Sequence, residues 1–306
     1  MMTVTAARRG GHRRLSESAS STPALDAEVL LAHVLGVERA QLLSRGDAVL
    51  SPEQERTYCA ALEKRAGGTP VAYITGHKEF YGFDFFVTPA VLIPKPDTET
   101  VVQYAVVHVH TMTAAAVRAG MPFEDIAIID VCTGSGCIGL SVARTLYSEA
   151  KIGTTQLPSV VLTLTDKSDA ALTVAKKNAA QLISPPCLIP VYFACGDLLQ
   201  AVPESARYDL ILSNPPYVPT HETAQLLADG RGEPWLALDG GADGCAVIRR
   251  LVPQAYAHVK PGGAFICEVD TRTASNVAAT CTKTGFRSVT IHTDLSGRER
   301  VVIGIR

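Results

Sequence analysis

The stretch "IAIIDVCTGSGCIGLSVARTLY", residues 126–147, decides the fold. "IAIIDV" is a short, continuously apolar run, the pattern of a strand buried on both faces. "CIGLSVARTLY" has helical spacing. Between them lies a glycine loop. Outward from this unit the texture repeats. "SVVLTLTD" (159–166) is a strand and "SDAALTVAKKNAAQL" (168–182) a helix. "LIPVYFA" (188–194) and "YDLILS" (208–213) are strands, "GCAVIRRLVPQAYAHV" (244–259) a helix and "GAFICEV" (263–269) a strand. "TASNVAATCTKTG" (273–285) is a helix, and "RSVTIHT" (287–293) and "RVVIGI" (300–305) close the chain as strands. Apolar strands alternating with helices through short connections predict an α/β domain, a doubly wound, largely parallel, Rossmann-like sheet with helices on both faces. Residues 148–158 read as a surface insertion.

Upstream the pattern is helical. "LDAEVLLAHVLG" (25–36) sets Leu25, Val29, Ala32 and Leu35 on one face and stops at Gly36. "SPEQERTYCAALEKR" (51–65) has Ser51 as N-cap and Pro52 at the first helical position. "GGTPVAYITG" and "EFYGFDFFVTPAVLIP" read as loops and short strands, and "DTETVVQYAVVHV" opens a helix with Asp97 and Glu99 at its positive end. The expected division is a disordered tail over 1–23, a small helical domain over 24–70, a hairpin-like linker over 71–95 and the α/β domain over 96–306.

Composition narrows the function. The 306 residues are 47% hydrophobic and carry a net charge of -2, which offers no basic surface for nucleic acid. No apolar run reaches the ~18 residues of a membrane span, and the basic, Ser-rich start lacks the core of a secretory signal. Eight cysteines without a C-x-x-C pair suit a reduced, cytoplasmic protein. No His or Cys spacing calls for a metal.

The glycine loop "DVCTGSGCIG" (130–139) matches G-x-G-x-x-G through Gly134, Gly136 and Gly139, so a dinucleotide is one reading. Asp130, directly below the turn, argues against a pyrophosphate. It suits a ligand with a cationic portion and no phosphate, such as S-adenosylmethionine, whose amino group Asp130 could hold directly or through water. Asp166, at the tip of the second strand, is placed to accept from ribose hydroxyls, with an N-cap as its plainer role. Asp197 and Leu198 follow the third strand where an adenine could lie, and Asp197 reads equally well as a turn residue.

"SNPPYVPT" (213–220) ends the fourth strand, expected beside the first. Pro215 and Pro216 remove two N–H donors, so the loop presents acceptors, the Asn214 side-chain oxygen and the Pro215 carbonyl. Tyr217 adds a flat face. A planar nitrogen bearing two hydrogens fits these acceptors, and holding both hydrogens aims its lone pair at a methyl carbon.

The chain resembles the HemK/PrmC-type protein-(glutamine-N5) methyltransferases of peptide-chain release factors. The resemblance covers about residues 24–306 and rests on "LDAEVLLAHVLG", "TPVAYITGHKEFYGFDFFVTPAVLIPKPDTE", "DVCTGSGCIG", "SNPPYV", "EPWLALDGGADG", "KPGGAFICEV" and "DLSGRERVV". It implies a helical domain that grips the protein substrate, a hairpin-like linker and a catalytic domain using S-adenosylmethionine. Residue by residue, it carries Cys132, Thr133, Gly134, Ser135 and Gly136 onto the cofactor loop, Asp166 onto the ribose acid and Leu198 onto the adenine side. It carries Asn214 onto the amide-orienting position bordering the cofactor, and Asn214, Pro215, Pro216 and Tyr217 together onto the glutamine site. Lys95 stands where the family has arginine, and Asp270 and Thr273 where it has glycine and glutamine. The competing readings are an N6-adenine methyltransferase, which would need a basic grip on phosphates, a methyltransferase for a ribosomal-protein glutamine, which lacks "PDTE", and a non-enzymatic binding module. The expected partner is a release factor, with no stable nucleic-acid or membrane binding, and the expected state is a monomer.

Overall fold

The computed structural model describes residues 2–120, 125–152, 159–187, 189–228 and 232–306. The chain divides into two units, Met1–His77 with Gln225–Gly232, and Lys78–Ala224 with Glu233–Arg306.

The first unit is helical, with α1 (Val4–Ser16), α2 (Pro23–Leu35), α3 (Gln41–Ser44), α4 (Pro52–Ala66) and α5 (Val71–Thr75). Gly36 closes α2 in the left-handed conformation, and Ser51 starts α4 with a full capping box to Gln54. The expected disordered tail over 1–23 is overturned. Residues 4–16 form α1, whose Val4, Ala7, Gly11 and Leu15 are buried. Its apolar stripe is built partly from alanine and glycine, so it carries a faint hydrophobic signal beneath the arginines. Gly11 has a packing reason, since a Cβ there would meet the Tyr58 hydroxyl at 2.0 Å. That hydroxyl donates to the Ala27 carbonyl across 3.2 Å, which ties α4 to α2 beneath α1. Arg8 pairs with Glu28, and Arg14 with Glu63 at 2.8 Å, so the basic face is partly answered by acids of α2 and α4.

The second unit begins with a two-stranded hairpin, β1 (His77–Phe80) and β2 (Phe83–Phe86), turned by Tyr81 and Gly82 at φ +53° and +76°. Two consecutive positive φ values make a type I′ turn, whose twist suits a tight hairpin. There follow α6 (Glu99–Arg118), β3 (Ile126–Val131), α7 (Cys137–Ile152), β4 (Val160–Asp166), α8 (Asp169–Leu182), β5 (Val191–Cys195) and β6 (Tyr208–Ser213). Next come α9 (Thr220–Ala228), α10 (Trp235–Leu238), α11 (Ala246–His258), β7 (Val259–Glu268), α12 (Ala274–Thr284), β8 (Arg287–Thr293) and β9 (Glu299–Ile305). The expected insertion over 148–158 begins as the last turn of α7, and residues 153–158 lie outside the described residues. The hairpin, expected in a separate linker over 71–95, falls with the second unit from Lys78 onward.

The seven-stranded sheet runs β5-β4-β3-β6-β7-β9-β8. β3, β4, β5, β6 and β7 pair in parallel, as the alternation predicts. β9 is antiparallel to both neighbours. Its connection from β8 is too short for a crossover, so the chain can only return antiparallel. Two apolar clusters cover the faces. One centres on Ile128, Leu140, Leu164 and Leu212, the other on Ile129, Ile211, Leu251 and Phe265. The strand order reverses between β3 and β6, which places the crevice at their carboxyl ends.

Candidate active site

The glycine loop leaves β3 and enters α7 in that crevice. Cys132 sits at φ +61°, Gly134 at +55° and Gly136 at +82°. A Cβ on Gly134 would meet nothing within 4 Å, so this glycine borders open space. On Gly139 a Cβ would strike Leu164 at 2.7 Å, so the third glycine lets α7 lie close on the sheet. Cys132 and Leu198 (φ +56°) are non-glycine residues held left-handed, and both line the cavity at this crevice. Such conformations cost on the order of 1–3 kcal/mol each and cluster at working sites.

Asp130, expected to face the ligand, faces the helix instead. It does not line the cavity. Its fully buried carboxyl holds the loop from behind, Oδ2 accepting from Thr133 Oγ1 at 2.6 Å and from Gly139 N at 3.1 Å. Burial pushes its pKa up to about 7, and the Asp166 carboxylate adds to the rise. Among the described residues, Asp130 Oδ1 is buried with no hydrogen-bond partner. The sequence puts an acid under the turn, but only the strand's facing decides whether it looks at ligand or at helix.

Asp166 lines the cavity at the tip of β4. Its Oδ2 accepts from Gly134 N and its Oδ1 from Ser168 N, each at 2.9 Å. Burial raises its pKa and those backbone donors oppose the rise. Ser168, not Asp166, caps α8, accepting from Ala171 N. Each Asp166 oxygen keeps lone-pair capacity toward the cavity. Asp197 and Leu198 also line it, and Asp197 forms an ion pair with Arg250 of α11.

Asn214 and Pro216 line the cavity, whereas Pro215 and Tyr217 do not. Pro215 is buried, and the Tyr217 hydroxyl donates to Glu268 Oε1 at 2.9 Å. Burial, then the Glu268 carboxylate, drives the Tyr217 pKa up. The tyrosine at the tip is thus anchored through its hydroxyl. Asn214 Nδ2 donates to Thr98 Oγ1 at 3.2 Å. That bond leaves Asn214 Oδ1 available as an acceptor.

Several supporting residues have partners that the sequence does not announce. In "PDTE" each polar residue has its own partner. Asp97 faces Arg300 of β9, Thr98 receives the Asn214 amide, and Glu99 Oε1 accepts from Tyr81 N in the hairpin turn. Asn178 of α8 is fully buried and bonds Phe86 N, Phe86 O and Ser135 O, joining hairpin, helix and glycine loop. The "LDGG" turn seats the NPPY backbone, with Val218 N bonded to Leu238 O and Gly240 N to Val218 O. A Cβ on Gly240 would meet Tyr217 Cα at 2.7 Å, the reason for glycine there. Lys95 Nζ lies 2.6 Å from Glu233 Oε1, so the departure from arginine keeps an ion pair. Asp270 and Thr273 form a turn into α12, Thr273 N donating to Asp270 O at 2.9 Å. A sequence signal for these exists only as polar residues adjoining motifs; their partners are distant along the chain.

The cavity fits S-adenosylmethionine. Asp166, Asp197 and Asp239 supply carboxylates beside the cations Lys95, Lys167 and Arg250, of which Lys95 and Arg250 are tied to acids. Asp166 offers acceptors for ribose hydroxyls, and Leu198 and Val247 supply apolar wall.

Comparison with known proteins agrees with this geometry. The PrmC N-terminal domain family matches residues 6–76, and the Methyltransferase small domain family matches 114–230. The release factor glutamine methyltransferase of Moorella thermoacetica is 37% identical over 306 residues, 100% of this chain and 99% of its own. That of Koribacter versatilis is 36% identical over 99% of this chain and 98% of its own. Among solved structures, the hMettl16 catalytic domain in complex with MAT2A 3'UTR hairpin 1 aligns at TM-score 0.50 and 14% identity, covering 85% of this chain and 82% of that one, a likeness of fold alone. The sheet order and glycine loop are those of a class I methyltransferase, with S-adenosylmethionine as cofactor. Within that class, the chain belongs to the release factor glutamine methyltransferase family. Among the described residues, no helix is long and apolar enough to cross a membrane.

Proposed function

We propose that this protein transfers a methyl group from S-adenosylmethionine to the side-chain amide nitrogen of the glutamine in the Gly-Gly-Gln motif of peptide-chain release factors, and so modulates translation termination. The observation that carries this reading is the Asn214 amide, fixed through Nδ2 to Thr98 with Oδ1 left as an acceptor beside the glycine-loop cavity. The names of the full-length relatives support the substrate class.

When bound, S-adenosylmethionine supplies an electrophilic methyl group on a sulfonium. The chain's part is to position the acceptor. Asn214 Oδ1 and the Pro215 carbonyl accept the two hydrogens of the glutamine amide. This counters delocalisation of the nitrogen lone pair and holds it in line for attack. As the nitrogen takes the methyl group and the sulfonium is left as a neutral thioether, one of those hydrogens passes as a proton to solvent water. Gly134 and its neighbours would lie against the cofactor, Asp166 would take the ribose hydroxyls, and Asp197 and Leu198 would border the adenine. Pro216 walls the site, and Tyr217 anchors the loop through Glu268. Cys132, Thr133, Ser135 and Gly136 shape the loop, with Asp130 bracing it from behind.

The helical unit, α1 included, grips the release factor, and the unit that begins at Lys78 carries the transfer. The protein works in the cytoplasm as a monomer. With a net charge of -2 it makes no strong phosphate contacts, so nucleic acid binds weakly and without a steep salt dependence.

The test is methyl transfer to purified release factors, read by mass spectrometry of the Gly-Gly-Gln peptide. One added methyl on the glutamine is expected. A release factor carrying asparagine in place of that glutamine should stay unmodified, because its nitrogen falls one methylene short of in-line geometry. Methylation of the asparagine-substituted factor, or of DNA, at a comparable rate would overturn the reading.

A further inference from the structure

Ser135 lies between Gly134 and Gly136, both in the left-handed region, and it lines the cavity. Glycines on both sides leave the backbone little preference of its own there. A hold on the Ser135 carbonyl has to come from another element. Asn178 of α8 supplies it, donating Nδ2 to Ser135 O at 2.8 Å. The same amide is joined to the hairpin. Its Oδ1 accepts from Phe86 N at 2.8 Å, and its Nδ2 donates to Phe86 O at 3.0 Å.

These three partners fix the direction of the amide, because a backbone N–H only donates and a carbonyl only accepts. Turned over, Asn178 would set its oxygen against two carbonyls and its amino group against an N–H. Two of the three bonds belong to Phe86, so the hairpin decides how the amide points, and the glycine loop receives the result. Asn178 is fully buried, so a bond given up here is not replaced by one to water. Its neighbours on α8 add to the grip on β2. Lys177 Nζ stands 3.2 Å from the centre of the Phe86 ring, and Gln181 Nε2 donates to Asp84 O at 3.3 Å. Among the described residues that line the cavity, none is Asn178 or belongs to the hairpin.

We propose that Asn178 is a positioning residue that makes the hairpin a brace for the cofactor loop, so that hairpin order and S-adenosylmethionine affinity are coupled. Such coupling is reciprocal. Bound cofactor tightens the hairpin, and a loosened hairpin weakens the hold on the cofactor. The brace rests on the cofactor and is independent of which side chain receives the methyl group.

The test reads binding and amide exchange rather than activity. S-adenosylmethionine is titrated by calorimetry into the wild type, Gly82→Val, Asn178→Asp and the double variant. Gly82 sits in the hairpin turn at φ +76°, where a Cβ would meet nothing within 4 Å, so valine strains the turn alone. Gly82→Val should weaken binding about fivefold, the lower end of ordinary coupling. Asn178→Asp keeps an acceptor for Phe86 N and removes both donated bonds. It should weaken binding at least as much, and adding Gly82→Val to it should cost nothing further. Hydrogen exchange at the Phe86 amide should slow when S-adenosylmethionine is added to the wild type, and should not respond in Asn178→Asp. Wild-type affinity in Gly82→Val overturns the brace. So do additive losses in the double variant, which are what two independent structural defects would give. Should Asn178→Asp fail to fold, a wild-type Phe86 amide whose exchange ignores S-adenosylmethionine overturns it equally.

Discussion

Asn214 Nδ2 and Thr98 Oγ1 meet at 3.2 Å although 116 residues separate them. This bond joins the loop that ends β6 to the turn that begins α6. It converts a flexible side chain into one with a preferred direction. Removing Asn214 therefore removes an oriented acceptor and little else. Asn214→Ala should slow methyl transfer by on the order of 10²–10³, by analogy with a lost oxyanion-hole donor. Calorimetric cofactor affinity should be retained. A wild-type rate would reduce the NPPY loop to a turn.

Asp166 both borders the cavity and holds Gly134 N and Ser168 N. Asp166→Ala should weaken cofactor binding, since hydrogen bonds to a charged acceptor are worth about 1.5–3 kcal/mol each. Asp166→Asn retains one oxygen acceptor, so its loss should be smaller. Titration calorimetry of the two variants separates them, and equal, wild-type affinity in both would remove the ribose role.

The buried Asp130 has its pKa raised to about 7, so the folded state binds a proton more tightly than the unfolded chain. Between pH 4 and 7 (on the scale of about 3.9 for a free aspartate) the native state holds more protons, and stability falls as pH rises through this window. The contribution is full below the unfolded value and lost above the folded one. Asp130→Asn should flatten that slope. Urea midpoints at low and neutral pH, taken for both proteins, check it; parallel slopes would mean the carboxyl stays ionised throughout.

Leu15 is fully buried in the helical unit, on the α1 that the sequence reading assigns to a tail. Leu15→Ala should cost about 2–5 kcal/mol in that unit, the range for buried leucines. Deleting residues 1–20 should unfold the unit rather than leave it intact. Circular dichroism melts decide this, and an unchanged melting profile of the deletion would refute a structural role for α1.

Trp235 is the chain's single tryptophan, about half exposed, between the cavity residues Pro234 and Leu236. Its Nε1 donates to Asp239 Oδ2 at 3.2 Å. Cofactor binding beside Asp239 should change the indole emission, so a fluorescence titration should track the calorimetric one. Saturation at a different concentration would separate the tryptophan from the cofactor site.

The α/β architecture was legible because strand and helix differ in apolar period, a local property. The glycine loop and the NPPY stretch were legible for the same reason. They constrain the backbone at the residue itself, through missing side chains and missing N–H groups. Ser51 and Gly36 declare their caps within one turn of chain.

What the tertiary structure alone decided is direction and partnership. Asp130 was visible as an acid at a strand end, yet the facing of β3 turns it to α7 and away from the cavity. Tyr217 was visible as a ring at a loop tip, yet Glu268, far along the chain, claims its hydroxyl. Thr98, Asn178 and Arg300 carry no local signal, because their partners come from other elements brought close by the sheet. α1 escaped for the opposite reason: small residues bury little apolar area each, and only the packing of Gly11 on Tyr58 makes their spacing count. Backbone preference is written residue by residue. Hydrogen-bond partners, burial and the facing of a side chain exist only once distant segments share one place.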